Sequence, residues 1–182
     1  MSEMKASVSE PGKMHETIIF TLVRVAIGFE FLWAFLDKTF GFGQMLDVNG
    51  TPTKVGTLPA DSWINGGSPT WGFLAFGTKG KFFEGFYSGL AGSKVVEFLF
   101  MFGLLGIGLA MFLGIGRRIA ATCGIVMMAL LWSASIPIST NPIIDDHIIL
   151  ILVFAVIGYT NSYGQIFIPQ WEKVAEKYPF LR

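Results

Sequence analysis

Apolar residues gather into four long runs, with two short polar breaks and one long aromatic segment between them. The first extends from Ile18 to Leu36 and carries formal charge only at Arg24 and Glu30. The second, Val95 to Gly116, has Glu97 near its start, and the third, Ile119 to Ile138, has no charged residue. The fourth begins near His147 and continues to about Ile168, turning polar at Asn161, Ser162 and Gln165. Each is close to the roughly 20 residues that a helix rising ~1.5 Å per residue needs to cross ~30 Å of hydrocarbon. The pattern predicts an all-α, single-domain integral membrane protein, a four-helix bundle with spans over about 18–38, 95–116, 119–138 and 147–168. The tight turn Gly114-Ile115-Gly116-Arg117-Arg118 makes the second and third helices adjacent and antiparallel. The first run is too long and too charged for a cleaved signal peptide, and it lacks a small-residue cleavage site.

Polar residues inside the first run share a face: Glu30, Trp33, Ala34, Asp37 and Lys38 recur at helical spacing. An acid at that depth is costly unless it meets a partner or a cavity, so Glu30 is a candidate functional residue. Arg24 lies about 120° around the helix from Glu30, which rules out a simple pair along the helix.

The connection 40–93 is too long for a turn and too aromatic for a disordered linker. Trp63, Trp71, Phe73, Phe76, Phe82, Phe83, Phe86 and Tyr87 alternate there with glycines and with Pro52, Pro59 and Pro69. Aromatics of this kind favour the headgroup layer, which predicts a cap over one mouth of the bundle, with a short interfacial helix near Phe82–Leu90. Lys5 and Lys13, the pair Arg117-Arg118, and the tail residues Lys173, Lys177 and Arg182 put the basic flanks on one side. The positive-inside bias then places both termini in the cytoplasm of a plasma-membrane protein and the cap outside. In that orientation Asp37, Lys38, Glu97, Asn141, Asp145, Asp146 and His147 all reach the outer end.

Composition narrows the chemistry. Hydrophobic residues make up 52% and charged ones 14% of the 182, with a mean hydropathy of +0.58, which is too little polar surface for a water-soluble domain. Zero formal net charge gives no electrostatic case for nucleic acid. A single cysteine, Cys123, excludes an intrachain disulfide, a CxxC motif and an iron–sulfur cluster held by this chain alone, and its place near the cytoplasmic end reads as a buried small apolar residue. His15 and His147 are not placed to clamp a haem together, and no metal site is expected. At the outer end, carboxylates beside an imidazole suit proton relay. Lys38 and His147, helped by Lys79 or Lys81, suit an anion, and Phe29, Trp33 and the cap aromatics suit a flat ring. These features equally allow a small proton-linked transporter or an accessory subunit of a respiratory complex.

The segment Arg24-x3-Gly28-x4-Trp33-x3-Asp37-Lys38, the loop Trp63-Ile64-Asn65-Gly66-Gly67-Ser68-Pro69-Thr70 with Gly72-Phe73-Leu74, and Asn141-Pro142 ahead of Asp146-His147 resemble the DoxX/DoxD-like membrane proteins. The likeness covers roughly Arg24 to Ile168 and is closer to the DoxD branch, the large subunits of archaeal thiosulfate:quinone oxidoreductase. It implies oxidation of thiosulfate to tetrathionate outside, electrons passed to membrane quinone, and a small DoxA-like partner subunit or a larger respiratory assembly. Its polar positions fall on Arg24, Glu30, Trp33, Asp37, Lys38, Asn141, Asp146 and His147 of this chain, and the chemistry of Glu30, Asp37, Asp146 and His147 suits catalytic roles. Substrate binding would fall to Arg24, Trp33, Lys38 and Asn141. The quinone protons would pass through Glu30 and Asp146.

Overall fold

The computed structural model describes residues 11–42, 62–138, 141, 143–160 and 169–179, and every regular element among them is helical. The longest, α1 (Pro11–Phe40), begins at a proline, whose missing N–H costs nothing in a first turn, and ends before Gly41 at φ +71°. It starts earlier than the apolar run, since Lys13 to Thr17 carry no proline or glycine and continue the helix from its first turn. Three short elements follow in the cap: a 3₁₀ turn at Trp63–Asn65, a π turn at Phe73–Gly77 and α2 (Glu84–Ser88), which lies within the segment 82–90. Then come α3 (Lys94–Leu113), α4 (Arg117–Ser135), α5 (Asp146–Tyr159) and α6 (Pro169–Lys177). Three of these helices, α1, α3 and α4, are long and apolar enough to cross a membrane, whereas α5 is a shorter apolar helix of 14 residues. The end of the fourth predicted span, 161–168, and part of the cap lie outside the described residues. The sequence pattern missed α6, because its polar composition hides an amphipathic helix.

Glycines decide which helices touch. A Cβ on Gly28 would strike the backbone of Phe112, and one on Gly108 would come within 2.9 Å of the Leu32 backbone nitrogen, so α1 and α3 press together backbone to backbone. On α4, Gly124 makes room for the Phe154 ring of α5, and Gly158 of α5 sits over Ala121. Both pairs are antiparallel, and the turn at 114–116 joins them. There Gly114 ends α3 in the left-handed region at φ +80°, with its N–H and that of Ile115 both returning to the Ala110 carbonyl. Between the pairs, Phe31 meets Phe154 edge to face with ring centres 5.5 Å apart. Met101, Leu104, Ile107, Met111, Ala121 and Ile157 complete the core.

The cap is fastened to α4. Phe82 donates its N–H to the Ile136 carbonyl at 2.8 Å, Lys81 Nζ donates to the Pro137 carbonyl at 2.7 Å, and the Tyr87 hydroxyl meets Ser133 and the Leu130 carbonyl. Leu74, Tyr87 and Ala134 form a small second core beneath these bonds. At the other edge of the cap Trp63 packs on Phe98 of α3, ring centres 5.3 Å apart. The cap thereby roofs one end of the helices, opposite the end bearing Arg117.

Candidate functional site at the capped end

Measured from the Phe31–Phe154 contact, Lys38 and His147 each stand seven residues toward the cap, about 10 Å along antiparallel helices, so both lie at one level. Asp37 and Lys38 are half-buried there. Glu97 is on the next helix, about one turn nearer the cap. Its position on α3 explains why it is hidden: Glu97, Met101, Leu104, Gly108 and Met111 follow one helical stripe, and all are buried. The carboxylate thus extends the core-facing row of α3 rather than decorating its first turn. Glu97 is 0% exposed, while Lys94, whose Nζ reaches Glu97 Oε2 at 2.9 Å, is 66% exposed. The Ser68 side chain lies beside this carboxylate. Among the described residues, Glu97 Oε1 has no hydrogen-bond partner, and the hydroxyls of Ser62 and Thr70, buried in the same stretch of the cap, have none either. Among the described residues, Glu97 is therefore the most deeply enclosed carboxylate of the capped end.

The entry to α5 is held by Asp145. Its Oδ1 accepts from the N–H groups of His147 and Ile148 at 3.1 and 3.2 Å, and its Oδ2 pairs with His147 Nδ1 at 2.7 Å. Burial alone would raise its pKa, but the hydrogen bonds from the His147 ring and the Ile148 N–H outweigh that and hold the carboxyl below the usual aspartate value. His147 is half-buried and fixed by its neighbour, whereas Asp146 is exposed and points away from this contact set. Asp145, rather than Asp146, is the acid that orients the imidazole.

Other residues proposed from sequence separate from this group. Arg24 is fully buried at the far end of α3, where Nη1 donates to the Met111 carbonyl and, at 3.3 Å, to that of Phe112. Its guanidinium covers Gly114, and the last carbonyls of α3 are satisfied by it, which is a helix-capping role. Glu30 faces outward from α1, and Trp33 beside it is 47% exposed and stacks on Phe29 at 6.3 Å. The stripe from Glu30 to Lys38 therefore crosses the edge of the bundle: its first members face outward and its last are half-buried. Asn141 is exposed, with Oδ1 accepting from Ile143 and Ile144 N–H at 3.0 Å each, a turn-forming bond. Lys81 is committed to Pro137, and Lys79 lies over the Phe76 ring at 4.6 Å. No cluster of His, Cys, Asp or Glu able to hold a metal occurs among the described residues.

Cys123 is exposed rather than buried. It lines an apolar groove of about 350 Å³ between α3 and α4, with Phe102, Gly106, Ile119 and Trp171 of α6. Gly106 has open space where a side chain would sit, and that gap uncovers the cysteine. The groove lies toward the Arg117 end and suits a hydrocarbon chain; a quinone ring, whose carbonyls seek donors, finds little there to hold it. Comparison with protein-family models, with characterised proteins and with solved structures finds no match for this chain, and nothing in them identifies a DoxX or DoxD relative.

Proposed function

We propose that this chain is a four-helix membrane subunit of a thiosulfate:quinone oxidoreductase of the DoxD kind, with its capped end outside the cell. The observation that carries the reading is that Lys38, the Asp145–His147 pair and the buried Glu97, paired with the exposed Lys94, all stand toward the capped end of the helices. Two thiosulfate dianions joined through sulfur release two electrons, and a quinone reduced by those electrons takes up two protons. Lys38 supplies positive charge for the dianions, the His147 ring supplies a hydrogen-bonding edge, and Glu97 is the residue best enclosed to pass a proton. The sequence alone points instead to Glu30 and Asp146 for the quinone protons, and of these Glu30 stands apart. Its outward side chain and the inward Arg24 lie on different sides of α1, which also weakens a transport route through both.

Membranes containing the chain together with its co-purifying partners should reduce a soluble quinone analogue on addition of thiosulfate. Lys38→Met should raise the apparent KM for thiosulfate at least about tenfold, the size of a lost charged contact. Glu97→Gln should lower turnover roughly 10²-fold while leaving that KM in place. Absence of thiosulfate-dependent reduction in wild-type membranes would overturn the reading. A cysteine at Ser88, in a Cys123→Ser background, should react with an impermeant reagent in intact cells if the cap is outside.

A further inference from the structure

The outward face of α1 carries Leu22, Ala26, Phe29, Glu30 and Trp33 in one stripe, with Leu22 64% and Phe29 57% exposed. Lipid satisfies four of these five. Glu30 is the exception: it lies about 12 Å along the helix from Lys38 at the capped mouth, and so within hydrocarbon when α1 spans a bilayer. An acid near the middle of a span is costly against lipid unless it meets a partner. The described residues provide it with no ion pair, since the nearest basic groups on α1 are Arg24, turned inward onto α3, and Lys38 at the mouth.

We propose that this stripe docks a transmembrane helix of a different chain, which brings a lysine or arginine to the depth of Glu30. Charge complementarity selects the partner. Among its described residues, a second copy of this chain, inserted the same way round, has no such cation to offer. Its Arg24 is buried, Lys94 stands at the capped end of α3, Arg117 and Arg118 start α4 at the opposite end, and α5 carries none between Ile148 and Tyr159. Ala26 lets a neighbouring backbone approach, and the Phe29–Trp33 stack provides a broad apolar flank. The inference rests on the membrane placement in the reading above but not on thiosulfate chemistry.

The test uses the full chain in phosphatidylcholine vesicles with an apolar transmembrane peptide of roughly 20 residues, carrying either one lysine or a leucine at the depth of Glu30. Energy transfer between labelled chain and labelled peptide should show the lysine peptide associating at least about tenfold more tightly, a difference of about 1.4 kcal/mol. Glu30→Leu should remove that preference, and Glu30→Gln, which keeps the side-chain volume, should reduce it. Equal association of the two peptides with the wild-type chain overturns the proposal. So does self-association of the chain that Glu30→Leu abolishes, because the occupant is then a second copy. Extraction of the chain from cell membranes by carbonate would instead end the membrane placement itself, which separates failure of that reading from failure of this inference.

Discussion

Arg24 and Glu30 lie less than two turns apart on α1, yet their surroundings are opposite. The inward face, Arg24, Ile27, Gly28 and Phe31, is buried against α3 and α5, and its charge is spent on the last carbonyls of α3. The outward face, Leu22, Phe29, Glu30 and Trp33, is open, and its charge meets nothing in the described residues of its own chain. Two charges inside one apolar run therefore do different work: one closes the fold, and the other asks for a neighbour. Depth in the run cannot distinguish them; the side of the helix can.

The largest effect expected from this contrast is at Gly28. Any side chain there meets the Phe112 backbone, which has no rotamer by which to move aside. Gly28→Leu should push α1 off α3, cost at least about 3 kcal/mol and leave little folded protein in detergent. Ala26→Leu, on the exposed face, should leave yield and thermal midpoint near wild type. Equal damage from the two substitutions would remove the distinction between the faces.

Next in size is the pair of charges themselves. Arg24→Met leaves the Met111 and Phe112 carbonyls at the end of α3 without this donor, at about 1–3 kcal/mol for the buried Met111 group. Arg24→Lys should recover part of that loss, since one ammonium reaches fewer carbonyls than a guanidinium fork. Glu30→Leu should go the other way, leaving the isolated chain as stable or more stable, because it removes an acid from an apolar surface. Thermal unfolding of the purified chain in a neutral detergent reads both signs in one experiment. Destabilisation by Glu30→Leu in the isolated chain would mean that the acid is satisfied internally.

The contrast also marks what could be read in advance. Helix positions were legible because length and apolarity are local: the expected 95–116 became Lys94–Leu113, cut short only by Gly114, and 119–138 became Arg117–Ser135, ending before Pro137. Sidedness was not, because it depends on which glycines find each other. Gly28 and Gly108 are visible in the sequence, but their meeting is not, and it is this meeting that turns Arg24 inward and Glu30 outward. Glu97 had a legible signal that went unused, its place on the stripe with Met101, Leu104 and Met111. Its enclosure, however, also needs the distant segment around Ser68 to fold over it. Cys123 was misread for the converse reason: its own helix gives no sign that Gly106 on a neighbouring helix leaves a gap beside it.

The smallest effect expected concerns the entry to α5, which stands at the level of Lys38 and holds the His147 ring on Asp145. Asp145 makes two bonds to backbone N–H groups and one to the imidazole, so its carboxylate form is favoured in the folded chain. A carboxyl whose folded pKa lies below its unfolded value of about 3.9 contributes stability fully above that value and loses it as pH falls through the folded pKa. Acidification from pH 5 downward should therefore lower the thermal midpoint of wild type more than that of Asp145→Asn, which retains an acceptor for the N–H groups without the titrating charge. At pH 7, Asp145→Ala should cost about 1 kcal/mol, the usual worth of a helix N-cap. Asp145→Asn should cost less and yet release the ring of His147, since an amide oxygen holds an imidazole N–H more weakly than a carboxylate does. In the proposed thiosulfate-dependent quinone reduction, comparing the two variants then separates the cap from the imidazole. If only the cap matters, activity follows stability and Asp145→Asn behaves as wild type; if the held imidazole matters, the apparent KM for thiosulfate rises in both variants alike.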